Sequence, residues 1–254
     1  MSGPFDLSGR LAVVTGARRG IGLAMAESLA RAGADVVGVS AAMAPDGGEV
    51  GERVRAAGRE FTGIACDFAD RDATLALGAR LNGLGRPIDV LVNNAGTIER
   101  VPAVDHPLEL WDRVLEVNLS GPFALTQALA GPMLERGRGS IVFTASLLSF
   151  QGGITVPGYT ASKSAVAGLV RALSNEWSAR GVRVNAIAPG YIATDNTAAL
   201  QSDADRSRSI LERIPTGRWG AAEDLGGAAV FLASDASAYV TGITLPVDGG
   251  WLGR

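Results

Sequence analysis

The chain has 254 residues, 47% hydrophobic and 19% charged, enough apolar material for one α/β domain with a sizeable core. A formal net charge of -3, from 23 basic and 26 acidic side chains, gives no electrostatic reason for a nucleic-acid or anionic-membrane partner. One cysteine, Cys66, excludes an intrachain disulfide, no apolar run approaches the roughly 18–20 residues of a bilayer span, and the opening MSGPFDLSGR lacks the apolar core of a signal peptide, so the expected location is the cytoplasm.

In chain order, LAVVTG (11–16) predicts a first strand and IGLAMAESLARAG (21–33) the helix after it. DVVGVS (35–40) and FTGIAC (61–66) predict the next two strands. IDVLVNNAG (88–96), GSIVFTAS (139–146), VRVNAIAPG (182–190) and GITLPVDGG (242–250) bring the total to about seven. Helical patterns fall near 47–57, 70–83, 108–135, 158–179 and 222–233, with Gly33, Gly58 and Gly181 as stops. Strands that are apolar on both faces and alternate with helices predict a single-domain, Rossmann-type, doubly wound parallel sheet with helices on both faces. No linker, repeat or low-complexity segment divides residues 1–254. In such a sheet ligands bind beyond the carboxyl ends of the strands, where the strand order reverses.

TGARRGIG (15–22) lies at the first of those ends, with Gly16 suited to a tight turn, Gly20 to close approach of a diphosphate and Gly22 to close packing of helix on strand. Turn chemistry alone also produces such spacings in a chain with 34 glycines. NNAG (93–96) ends the fourth strand and Ser146 the fifth, where a hydroxyl can donate to a substrate oxygen or simply cap a turn. Tyr159 and Lys163, in GYTASKSAV, are four residues apart at the start of a helical run and therefore share a face. A fixed positive charge beside a phenol favours its anion, which makes the pair a candidate acid–base device, while an inert surface pair is the plainer alternative. Asn118, inside a predicted helix, requires a polar partner. His106 is the only histidine and no G-x-S-x-G elbow occurs, so no metal site and no hydrolase triad is expected.

The order and spacing of TGARRGIG, NNAG, Asn118, Ser146, YTASK and PG followed by Thr194 resemble the short-chain dehydrogenase/reductases over the whole chain. The resemblance implies that Tyr159 is the general acid–base, that Lys163 lowers its pKa and binds the nicotinamide ribose, that Ser146 orients the substrate carbonyl and that Asn118 helps to hold a proton-relay water. It also implies a dinucleotide site. From the first turn that site takes Gly16, Arg18, Arg19, Gly20, Ile21 and Gly22; from the next strand ends, Ser40, Asp67, Asn93, Ala95 and Gly96; and beyond them Tyr159, Lys163, Pro189, Gly190, Ile192 and Thr194.

The second strand ends in VSAAM, without the acid that would grip ribose hydroxyls and repel a 2′-phosphate, and Arg18 and Arg19 are suited to a phosphate. The subgroup resemblance below favours NAD, so the expected cofactor is NAD with NADP left open. SLLSFQGGITVPGYTASKS, NEW, VNAIAPGYIATDNT, RSILERIPTGRWG and VDGGWLGR look like the subgroup that acts on deoxy sugar acids of the 2-dehydro-3-deoxy-gluconate type. The length and polarity of the segment 191–220 make it a candidate substrate lid, and the likeness makes Arg100, Gln151 and Arg206 candidate substrate residues, with solvated surface arginines as the plainer alternative. A 3-oxoacyl thioester is the alternative substrate, and a non-catalytic dinucleotide-binding regulator the alternative of another class. The family resemblance also implies a homotetramer built partly through the long helices.

Overall fold

The computed structural model describes residues 3–254; Met1 and Ser2 of the expected 1–254 domain lie outside the described residues. Seven parallel strands form one sheet: β1 (Leu11–Thr15), β2 (Asp35–Ser40), β3 (Phe61–Ala65), β4 (Val90–Asn93), β5 (Gly139–Thr144), β6 (Val182–Pro189) and β7 (Thr244–Val247). Their spatial order is β3-β2-β1-β4-β5-β6-β7, so the direction of winding reverses between β1 and β4. The pairing there aligns Ala12 with Val90 and Val14 with Val92.

Alternation along each strand feeds two cores. Leu11 and Val13 of β1 face a layer formed by α3 (Arg71–Asn82), α5 (Gly121–Arg136) and α6 (Pro157–Trp177), packing with Leu81, Leu129 and Val170. Ala12 and Val14 face the opposite layer of α1 (Gly20–Arg31), α2 (Glu49–Ala56) and α9 (Gly226–Ala233), packing with Leu29, Val54 and Leu232. A smaller cluster, with Leu147, Ile210, Ile214 and Trp251 at its centre, seats the segment after β6 on the carboxyl-terminal turn.

Two regions depart from the sequence expectation. The helix expected over 108–135 is divided into α4 (Leu108–Leu115) and α5 by a π-helical turn, Glu116–Ser120, that contains Asn118. The extra residue of a π turn re-aims a side chain, and here the buried Asn118 amide reaches back to the main chain of Thr97. The segment 191–220, where no helical pattern is expected, contains two helices, α7 (Ala198–Ser202) and α8 (Ala204–Arg213). Asp203 caps α8 by accepting from the main-chain N–H groups of Asp205 and Arg206. Among the described residues, no helix is long and apolar enough to cross a membrane.

Candidate active site

A crevice of about 640 Å³ opens at the carboxyl ends of the strands. Its walls include Gly16, Arg18, Arg19, Gly20, Ile21 and Gly22 from the β1–α1 turn and Ser40 and Asp67 from the ends of β2 and β3. Asn94, Ala95 and Gly96 follow β4; Ser146, Tyr159 and Lys163 follow β5; Pro189, Gly190, Ile192 and Thr194 complete it after β6.

The floor of the crevice is hydrogen-bonded between strands. The Thr15 hydroxyl accepts the N–H groups of Asn94 and Ala95, each at 2.9 Å, and so ties the end of β1 to the turn after β4. Asn94 Nδ2 donates to the Thr15 carbonyl at 3.1 Å, and Thr144 Oγ1 donates to Asn94 Oδ1 at 3.2 Å. Gly16, at φ +67°, leaves no room for a Cβ, which would stand 2.8 Å from Asn94 Nδ2; at Gly22 a Cβ would stand 2.1 Å from the Gly16 carbonyl oxygen. Glycine is therefore required at both positions.

Helix α1 begins beside this turn with no side-chain cap and no acid in its first turn. Its free N–H groups, with the positive end of the helix dipole, leave a place for an anion. The glycine cradle and the uncapped helix start fit the diphosphate of a dinucleotide.

On the other side of the floor, α6 carries Tyr159 and Lys163 one turn apart. Lys163 is buried, and its Nζ donates to the Thr144 carbonyl at 2.6 Å and stands 5.5 Å from the centre of the Tyr159 ring. Burial pulls the Lys163 pKa down to about 8. Burial also pushes the Tyr159 phenol above its ordinary value, while the Ser146 hydroxyl and the Arg100 charge pull it the other way. Burial outweighs those two pulls on the phenol, and the Lys163 ammonium, which the resemblance assigns to lowering its pKa, is bonded here to Thr144.

Three expected residues take positions other than those assigned to them. Asn93 is the last residue of β4 and points with Leu91 toward the α5 face, where its Nδ2 donates to Thr126 Oγ1 at 2.8 Å; Asn94, just past the strand, lines the crevice instead. Gln151 is outside the crevice walls and accepts the Trp251 indole N–H at 3.3 Å, which makes it a tie to the carboxyl terminus. Arg206 is exposed on α8 and is also outside the walls. Arg100 is not among the wall residues either, but its guanidinium donates at 3.1 Å to the carbonyl of Asn196, which is, and its charge reaches Tyr159.

Asn118 lies behind Gly96. Its Oδ1 accepts the Thr97 N–H at 2.8 Å, and its Nδ2 donates to the Thr97 carbonyl at 2.9 Å and to Ser162 Oγ at 3.2 Å. The amide thus fixes the turn after β4 against α6, a task absent from the sequence expectation. Thr15, Asn94 and Asp195 are positions at the crevice to which sequence reasoning assigned no role. The threonine before Gly16 and the second asparagine of NNAG were signals for the first two, and Asp195 had none.

The family model described as Enoyl-(Acyl carrier protein) reductase matches residues 16–252. The chain belongs to the short-chain dehydrogenase/reductase family, and it is an NAD(P)-dependent dehydrogenase/reductase. It is 58% identical over 250 residues to a 2-dehydro-3-deoxy-D-gluconate 5-dehydrogenase of Pseudoalteromonas atlantica, with 98% of each chain covered. The enzyme of the same name from Bacillus subtilis is 53% identical over 250 residues, covering 98% of this chain and 97% of its own. A solved structure from Agrobacterium tumefaciens, provisionally named a 2-deoxy-D-gluconate 3-dehydrogenase and holding NADP, superposes with a TM-score of 0.93 at 52% identity over 99% of both chains.

Proposed function

We propose that the protein transfers a hydride between a nicotinamide dinucleotide and a keto or hydroxy group of a deoxy sugar acid of the 2-dehydro-3-deoxy-gluconate type. The observation that carries this reading is the convergence of Ser146, Tyr159 and Lys163 in one crevice, with Arg100 bonded to the wall residue Asn196 and its charge reaching Tyr159, a proton device near a cation suited to a carboxylate. The names of the similar enzymes support the same substrate class.

When bound, the nicotinamide supplies or accepts the hydride. In the reducing direction, the Ser146 hydroxyl and the Tyr159 phenol donate to the substrate carbonyl oxygen. As that oxygen becomes an alkoxide, the Tyr159 proton moves to it and completes the alcohol; oxidation runs the same transfers backwards. A phenol held above its ordinary pKa stays protonated at neutral pH and ready to donate. The ammonium of Lys163, one helical turn away, opposes the negative charge left on Tyr159. Asn118 acts indirectly, by holding the turn that carries Gly96. The segment 191–220 serves as a lid over the substrate, with Arg100 bonded to its root at Asn196.

The assembly in this reading is a homotetramer. Val104 and Leu108, just before and at the start of α4, and Phe150 and Ile154, in the loop before α6, are exposed on two segments joined by the Val101 N–H to the Thr155 carbonyl at 2.9 Å, and a second subunit would cover them. The single buried cysteine supports a cytoplasmic location.

A spectrophotometric screen decides the substrate: 2-dehydro-3-deoxy-gluconate-type acids and 3-oxoacyl esters, each with NADH and NADPH. The sugar acids are expected to show at least about tenfold higher kcat/KM, about 1.4 kcal/mol of transition-state preference. A preference for the acyl esters would overturn the substrate assignment, and sedimentation as a monomer would overturn the assembly.

A further inference from the structure

The end of β2 is neutral: Ser40, Ala41 and Ala42 line the crevice, and the Ser40 hydroxyl donates to the Val39 carbonyl at 2.7 Å and accepts the Arg18 N–H at 3.2 Å. Nothing there repels a 2′-phosphate. Two carboxylates do stand on the crevice walls, Asp67 and Asp195. Asp67 closes its own turn by accepting the Ala69 N–H at 3.0 Å. Asp195 reaches across the mouth, and its Oδ2 lies 2.7 Å from Arg19 Nη1.

Arg19 is a crevice-wall cation suited to a phosphate, since a guanidinium fork matches phosphate oxygens and keeps its charge at any working pH. In this structure its partner is an internal carboxylate carried by the lid segment. Both side chains are largely exposed, at 65% and 72%, so the pair is weak and can exchange partners. The main chain around Asp195 does not depend on that pair. Thr197 Oγ1 accepts the Thr194 N–H at 3.1 Å and donates to the Ile192 carbonyl at 2.6 Å, which holds the turn without the Asp195 side chain.

Resting on the reading of this crevice as a dinucleotide site, we propose that Asp195 is a specificity-determining residue: by occupying Arg19, it handicaps the 2′-phosphorylated dinucleotide relative to the unphosphorylated one. A 2′-phosphate must displace the carboxylate from Arg19 or tolerate it nearby, and either way it meets a like charge. An unphosphorylated ribose meets neither cost. The discrimination performed in other dinucleotide folds by an acid on the second strand is performed here by an acid on the opposite wall. Because Asp195 belongs to the lid segment, the identity of the bound dinucleotide also sets whether the lid keeps this anchor.

The test is a binding titration followed by nicotinamide fluorescence, with NADH and NADPH in parallel, on wild type, Asp195→Asn, Arg19→Ala and the double variant. Asp195→Asn is expected to tighten NADPH by about fivefold and leave NADH within about twofold. The gain should vanish in the Arg19→Ala background and shrink in high salt. Equal shifts for both dinucleotides, no shift, or a gain that survives loss of Arg19 would overturn the inference while leaving the dinucleotide site intact. Wild-type protein that binds neither dinucleotide would overturn the site assignment and the inference with it. Asp195→Ser, also small and neutral, should reproduce the change seen with asparagine, and an NADPH-to-NADH affinity ratio that stays at the wild-type value in Asp195→Ser would likewise overturn the inference.

Discussion

Lys163 is buried with its ammonium on the Thr144 carbonyl, whereas Arg19, across the crevice, meets Asp195 with both side chains mostly in water. The same contrast holds more widely. On the floor, Thr15, Asn94, Thr144 and Asn118 bond to main-chain atoms or to one another between strands β1, β4 and β5, where each lost bond would strand a partly or wholly buried group. Over the floor, the segment after β6 rests on the small apolar cluster around Ile210, Ile214 and Trp251, and the rest of its ties are side chains near solvent: Arg218 pairs with Asp224 at 2.6 and 2.9 Å, Arg213 stacks 4.0 Å from the Trp251 ring, and Arg100 bonds to Asn196. In the proposed reading, the groups that hold the reacting atoms are fixed by buried bonds, and the polar ties of the segment that covers the substrate are exchangeable ones. Substitutions on the floor should therefore affect chemistry and stability, and those above it should affect selection.

The largest effect is expected at Tyr159. Tyr159→Phe removes only the phenol oxygen, so turnover should fall by about 10²–10⁴-fold, the usual range for a positioned acid–base, while dinucleotide binding changes by less than about twofold. Turnover within tenfold of wild type would remove Tyr159 from the proton transfer and dissolve the contrast between the two regions.

The cost of burying Lys163 should appear as a pH dependence of stability. Its pKa is about 8 in the folded chain against 10.5 for an unperturbed lysine. Below pH 8 both states hold the proton, and the folded state carries the whole cost of the buried charge. Between pH 8 and 10.5 the unfolded chain retains a proton that the folded chain has lost, so stability rises through that window. Urea unfolding of wild type and Lys163→Met is expected to diverge there, wild type gaining up to about 3 kcal/mol relative to the variant. Parallel curves would show that Lys163 is better solvated than its place on the floor indicates.

Above the floor the expected change is in recognition. Arg100→Ala should raise KM for a keto-sugar acid by the equivalent of about 1.5–3 kcal/mol, the range for a charge-assisted bond, and barely alter KM for a neutral ketone. Arg206→Ala, on the outer side of α8, should change neither by more than about 0.5 kcal/mol. If the two ketones suffered equally from Arg100→Ala, the arginine would be supporting the Asn196 turn and not reading the substrate.

What the sequence disclosed follows the same division. The strands were legible because every second residue enters one of two apolar layers, as Leu11 and Val13 do against Ala12 and Val14. Tyr159 and Lys163 were legible because four residues make about one helical turn. Strand parity also held the information that Asn93 faces α5 with Leu91, but a strand end shifted by one residue exchanges Asn93 and Asn94, and strand ends are the least legible boundary. The π turn at Asn118 arises because its amide bonds to the Thr97 main chain, 21 residues away, which no local pattern encodes. Arg19 and Asp195 are 176 residues apart, and only the assembled sheet brings them together.

The smallest expected effect concerns the loop that leads from β5 into α6. Thr155 has φ +62°, in the left-handed region that a β-branched residue enters at a cost of about 1–2 kcal/mol. Its side chain is exposed and only donates to the Ile154 carbonyl, while its own carbonyl accepts the Val101 N–H. The bond that joins this loop to the segment before α4 therefore belongs to the main chain and survives substitution. Thr155→Gly relieves the strain but loosens the unfolded chain, so the net gain should be no more than about 1 kcal/mol in urea unfolding, with kcat within about twofold of wild type. Tyr159 begins only four residues later, in the first turn of α6. If kcat fell severalfold with stability unchanged, the strain at Thr155 would be positioning the phenol, and this loop would belong to the floor; a stability gain with kcat intact would assign it to the tolerant region above.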